Sequence, residues 1–162
     1  MTASVTIVLC CHNSAQRLPP TLKHLAAVKV PAGVKWDVLL VDNASTDDTA
    51  TCARTVWEQA GAPAPLRVLS EPRQGLSYAR WAGIRAARGD IVSFVDDDNW
   101  VDASWLEVIT DVFLAEPRAG AVGAWAEPVC DGAIPPWFER VQQLDAFGPQ
   151  GATAGPVPVA RS

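Results

Sequence analysis

Short apolar runs alternating with segments of helical period constrain this chain more than any other feature. That alternation is the signature of βαβ units wound around a parallel sheet. Five strands are expected, at Val5 to Cys11 (VTIVLCC), Trp36 to Val41 (WDVLLV), Leu66 to Leu69 (LRVL), Asp90 to Val95 (DIVSFV) and Ala121 to Trp125 (AVGAW). Most are continuous runs and not alternating ones, as strands covered on both faces should be. Between them, Pro19 to Val28 reads as a helix. Ser45 with Asp48 makes a capping-box-like start for a second, whose Ala53, Val56, Trp57 and Ala60 recur at helical spacing before Gly61. A third helix is expected from Ser77 to Arg88, and a fourth from Asp102 as N-cap to Pro117. The fold class is therefore α/β, an open, mostly parallel sheet with helices on both faces. The seven tryptophans sit mostly at helix-face or strand positions and read as core, with Trp100 beside an acidic run the exception to watch.

A length of 162 residues fits one domain. Residues 1–147 are expected to form it, with Trp137 to Phe147 a short amphipathic helix, and residues 148–162, rich in proline and glycine, a flexible tail. Eighteen acids against 13 bases, with all three lysines in the first 35 residues, leave no basic stripe for a phosphate backbone, so nucleic acid is not expected as a partner. The four cysteines have neither C-x-x-C nor zinc-finger spacing and read as reduced thiols of a cytosolic protein. The run Val5 to Cys11 is too short to span a bilayer and lacks the basic flank of a signal peptide, so no transmembrane segment is expected. No G-x-G-x-x-G, no G-K-[ST], no G-x-S-x-G and no H-E-x-x-H occurs, which withdraws the usual signals for dinucleotide enzymes, P-loop ATPases, serine hydrolases and zinc proteases.

In a doubly wound sheet, ligands bind outside the carboxyl ends of the strands. The loops expected there hold His12-Asn13-Ser14, Asp42-Asn43-Ala44-Ser45, Glu71-Pro72-Arg73-Gln74-Gly75 and Asp96-Asp97-Asp98-Asn99. The acidic run is the sharpest feature, since two carboxylates about 5 Å apart repel by roughly 3 kcal/mol at an effective dielectric near 20. Open water, a raised pKa or a bound hard cation relieves that repulsion, and a solvated turn ahead of Asp102 explains the run as well as a metal seat does. Asp42 reads first as a turn-former and otherwise as an acceptor for a base N–H or a ribose hydroxyl. His12 is either structural or a surface for a base, and Arg73 either a phosphate partner or a solvated side chain.

Taken together, these segments resemble the family 2 glycosyltransferases, inverting enzymes of the GT-A, Rossmann-like nucleotide-diphospho-sugar transferase fold. The resemblance is carried in order by Val5-Thr6-Ile7-Val8-Leu9-Cys10-Cys11-His12-Asn13, by Val41-Asp42-Asn43-Ala44-Ser45-Thr46-Asp47, by Gly75-Leu76-Ser77-Tyr78-Ala79-Arg80-Trp81-Ala82-Gly83, and by Gly89-Asp90 leading through Val95 to Asp96-Asp97-Asp98. It implies a donor site for a nucleoside diphosphate sugar, most often UDP-linked, and a Mn2+ or Mg2+ cofactor. By the same resemblance Cys10, His12 and Asn13 line the base pocket, Asp42 bonds the base edge and Arg73 lies near the nucleotide. Asp96 contacts the ribose with Asp97 beside it in the donor site, and Asp96 and Asp98 hold the metal. His12 stands where the family usually has Tyr, and Trp81 where it usually has Asn. The implied location is cytoplasmic, free or at the cytoplasmic face of the membrane.

The family's general base and acceptor-binding elements lie beyond the acidic strand, and neither Glu127 nor Asp131 sits in a recognisable motif. The catalytic residue is therefore unknown at this level, the acceptor is unassigned, and the chain reads as short of the acceptor half. The expected function is transfer of a sugar to an acceptor hydroxyl with inversion. The alternative is a non-catalytic or truncated nucleotide-sugar-binding module. An aspartyl phosphotransfer domain is disfavoured, because the acids follow the fourth strand and no lysine occurs after residue 35.

Overall fold

Strand β1 (Ser4–Cys11) is buried over most of its length because helices cover it on both faces. It lies inside a four-stranded, all-parallel sheet of order β3-β2-β1-β4, with β2 at Lys35–Asp42, β3 at Leu66–Ser70 and β4 at Ile91–Asp96. The computed structural model describes residues 3–124, 126, 129, 132–133 and 135–138. The chain divides into two compact units, Met1–Leu114 and Ala115–Ser162. The sheet belongs to the first. The expected boundary at 147, the helix beyond residue 138 and the tail lie outside the described residues.

One sheet face packs Ile7, Leu9, Val38 and Leu40 against α1 (Leu18–Ala26), α2 (Thr49–Gln59) and α4 (Trp105–Ala115), through Leu18, Leu22, Leu25, Ala53, Trp57 and Leu106. The other packs Val8, Leu39 and Val41 under α3 (Leu76–Ala86). Helix α3 approaches closely because Gly83 faces the strand: a Cβ there would lie 2.5 Å from Val8 Cγ1. At the amino-terminal end of the sheet, Thr6 donates to Asp37 at 2.7 Å, and Asp37 takes two hydrogen bonds from the Arg67 guanidinium. These half-buried charges are thereby paired, as their burial requires.

Four expectations are corrected. Residues 121–124 form no strand; they are exposed, and Gly123 within them adds no side chain that packing could use. Helix α2 starts at Thr49, because Asp47 and not Ser45 bonds the Thr49 amide (3.1 Å), while the Ser45 hydroxyl is taken by the Asn13 amide. Helix α4 starts at Trp105, with Asp102 closing a turn onto the Ser104 amide at 2.8 Å. Nor are the tryptophans uniformly core: Trp57 is buried, but Trp81, Trp100 and Trp137 are 56%, 47% and 61% exposed. In the second unit, the described Trp137 and Phe138 rings meet edge to face.

Candidate functional site

The chain runs outward from β1 through β2 to β3, then returns to place β4 on the opposite side of β1. The loops leaving β1 and β4 therefore flank a topological switch point, where open α/β sheets hold their ligands. A cleft of about 400 Å³ occupies this position. Its walls are Cys10 to His12 at the end of β1, Asp96 to Asp98 at the end of β4, and Gln74 to Leu76 at the start of α3. The strand register sets Cys10 opposite Asp96.

The three acids have separate fates. Strand β4 ends at Asp96 and the chain turns through Asp97 and Asp98, which leaves Asp96 and Asp98 exposed and Asp97 buried. The Asp97 carboxylate is paired with Arg17 Nη2 at 2.8 Å and accepts the Ser14 hydroxyl. Its backbone carbonyl accepts Thr21 Oγ1 at 3.0 Å. Among the described residues, the Asp96 carboxylate has the Arg80 guanidinium within reach, at 3.7 Å. Among the described residues, no three His, Cys, Asp or Glu side chains are grouped so as to hold a metal alone.

His12 forms the facing corner. Its Nδ1 lies 2.8 Å from the Asn43 carbonyl, which only accepts, so Nδ1 carries the proton and Nε2 is left to accept from Gln74 Nε2 at 3.1 Å. Asn43 is buried and organises the β3–α3 loop: Nδ2 donates to the carbonyls of Glu71 (3.0 Å) and Arg73 (2.6 Å), and Oδ1 accepts the Gly75 amide (2.8 Å). Gly75 turns the chain into α3 at φ +139°, a conformation closed to other residues without strain. Burial pushes the Cys10 thiol up to about 11, with Arg80 opposing and Asp96 and Asp97 reinforcing the rise. Burial raises Cys11 further still.

Of the residues expected at a donor site, Cys10, His12, Asp96, Asp97 and Asp98 border this cleft, whereas Asn13, Asp42 and Arg73 do not. Asp42 accepts the Ser45 amide at 3.2 Å, the turn chemistry its sequence first suggested. Asn13, at φ +50°, accepts the Thr46 amide at 2.7 Å and borders a second concavity with Asp47 and Asp48. Arg73 is clamped by both Glu71 oxygens, at 2.9 and 3.0 Å, and lies over the Tyr78 ring. That clamp holds the Glu71 carboxyl down at about 2. Trp100 is stacked on His24. Sequence reasoning missed Arg17, Asn43 and Gln74 as cleft residues; the Asn43 signal lay within the quoted motif, but nothing local marked Arg17.

Comparison with known proteins points the same way. The model of the glycosyl transferase family 2 matches residues 6–154. An uncharacterized glycosyltransferase of Mycobacterium tuberculosis is 39% identical over 140 residues, covering 85% of this chain and 55% of the relative. The chain thus spans about half the length of that curated relative. A mannosyltransferase from Pyrobaculum calidifontis, solved with GDP-Man and Mn2+, superposes with a TM-score of 0.62 at 28% identity, over 72% of this chain and 33% of that one. Staphylococcus aureus TarS in complex with UDP superposes at 0.60 with 22% identity, over 70% and 33%.

Proposed function

Because the chain belongs to the glycosyl transferase family 2, we propose that it is the donor-binding part of a glycosyltransferase. It takes a nucleoside diphosphate sugar, UDP-linked, and passes the sugar to an acceptor hydroxyl with inversion. The observation that carries this reading is the cleft at the β1–β4 switch point, into which Asp96 and Asp98 open opposite the His12 ring. The fold supports it, being shared with enzymes solved with UDP and with GDP-Man.

The donor set suits Mn2+ or Mg2+. Two solvent-facing carboxylates are the usual protein share for such a hard cation, whose remaining positions go to water and substrate phosphate. A site with no third protein ligand among the described residues fits a cation that binds together with a diphosphate. Asp96 and Asp98 would hold it, and when bound it would offset the charge that grows on the departing diphosphate. His12 offers its ring face to the base, its two nitrogens being bonded to the Asn43 carbonyl and the Gln74 side chain. Asp96 would also contact the ribose. Asp97, held by Arg17, keeps the turn in shape. Among the described residues no general base is assigned. The free thiols Cys10, Cys11 and Cys52 fit a reducing, cytoplasmic setting, and among the described residues no helix is long and apolar enough to cross a membrane.

Titration calorimetry of UDP with and without Mn2+ tests the reading. Mn2+ should tighten UDP binding at least tenfold, and Asp98→Ala should abolish that gain. Equal affinity with and without the metal would refute the donor site as drawn.

A further inference from the structure

Ser14, Arg17, Thr21 and His24 recur at intervals of three, four and three, the spacing of one helix face. All four reach the acidic turn or the residues just after it. Ser14 and Arg17 hold the Asp97 carboxylate and Thr21 holds the Asp97 carbonyl. His24 places Nδ1 3.3 Å from the Val101 carbonyl and stacks on Trp100 with ring centroids 5.5 Å apart. The turn itself has one internal backbone hydrogen bond, from the Asn99 amide to the Asp96 carbonyl at 3.1 Å. Its shape is therefore fixed chiefly from outside, by this face of α1 and the turn that precedes it.

Arg17 is the pivotal member. Its guanidinium also donates to the His12 carbonyl at 3.1 Å and to the Ser14 hydroxyl at 3.3 Å, joining the acidic wall of the cleft to the His12 wall. It brings a positive charge onto the one acid that is buried, and leaves the other two as the exposed carboxylates of the cleft. We propose that Arg17 is a positioning residue for the cation: by neutralising and anchoring Asp97, it leaves Asp96, with the Arg80 guanidinium 3.7 Å away, and Asp98 as the two exposed carboxylates that take the cation. The inference rests on the reading of Asp96 and Asp98 as the cation's carboxylates. It adds a residue outside the acidic motif and gives Asp97 a role distinct from those of its neighbours.

Two measurements on the full chain test it. In the metal-free protein, Arg17→Gln should speed hydrogen exchange at the Asn99 amide about tenfold while the amides of β2 and β3 keep their protection. Unchanged Asn99 exchange would overturn the inference, whatever the nucleotide data show. In calorimetry, Arg17→Gln should weaken Mn2+-dependent UDP binding about tenfold and leave metal-free UDP binding within twofold. Arg17→Lys, which keeps a point charge beside Asp97, should recover most of the loss. Arg17→Gln combined with Asp97→Asn, which removes both charges, should lose less than Arg17→Gln alone. Equal weakening with and without Mn2+ would mark Arg17 as a direct nucleotide contact and overturn the positioning role. Wild-type protein that shows no Mn2+ effect, with Asn99 exchange responding as expected, would count against the donor site and not against the Arg17 anchor.

Discussion

Replacing Asn43 with alanine removes three hydrogen bonds in one step: two to the Glu71 and Arg73 carbonyls and one from the Gly75 amide. The side chain is only 4% exposed, so the abandoned backbone groups gain little water in compensation. At about 0.5–1.5 kcal/mol net per bond, the loss is about 3 kcal/mol. With a urea m-value of about 1.5 kcal/mol/M, the unfolding midpoint should fall by about 2 M. Asn43→Asp is the sharper comparison. It keeps the acceptor for Gly75 but turns a second carboxylate oxygen toward two carbonyl oxygens, so it should destabilise by at least as much as alanine despite its near-identical shape. Urea unfolding followed by tryptophan fluorescence gives both numbers. An Asn43→Ala midpoint within about 0.3 M of wild type, equivalent to less than about 0.5 kcal/mol, would refute Asn43 as the organiser of the β3–α3 loop.

The remaining predictions concern reactivity, packing and pH. With its pKa pushed up to about 11, Cys10 should alkylate with iodoacetamide at pH 8 on the order of a hundredfold more slowly than an ordinary exposed thiol, even though it borders the cleft; mass-spectrometric rate measurement checks this. Gly83→Ala should cost about 1–3 kcal/mol by overpacking, since the new methyl would meet the fully buried Val8 at 2.5 Å; thermal unfolding reads the loss. The Glu71 carboxyl lies well below its usual range, at about 2, because Arg73 bonds it. Its contribution is therefore complete above the unfolded-state value and vanishes as pH falls through about 2. Wild type and Glu71→Gln should differ in stability at pH 5–7 and converge at the acid end of the range.

The four strands and four helices were legible because strands covered on both faces are largely apolar runs, and the helices after the first each ended on a stop signal, at Gly61, Gly89 and Pro117. Register was not. Asp42 and Asn43 are neighbours in one motif, yet the first closes a local turn onto Ser45 while the second is buried in the β3–α3 loop. One residue's advance along the chain separates those fates, and only the folded geometry reveals it. The acidic run shows the same limit. Its three carboxylates are chemically identical in sequence, but Asp97 alone meets Ser14, 83 residues away, and the nearby Arg17. The strand expected at Ala121 to Trp125 was read from apolar composition without a partner, and composition does not supply one. Trp81 was assigned to the core by residue type, although helix α3 buries Ala79 and Gly83 while leaving Trp81 on its outer side.

Among the described residues, β4 has a neighbour on one flank only. The acids of the cleft are therefore mounted on an edge strand of the sheet, where fraying costs less than at its centre. Helix α1 supplies the opposing brace, and α1 in turn is held by Leu18, Leu22 and Leu25, none of which touches solvent. Small truncations at those leucines should thus register twice, as lost stability from the core and as slackness among the carboxylates, so that ligand affinity gauges the hidden side of α1 alongside a melting curve.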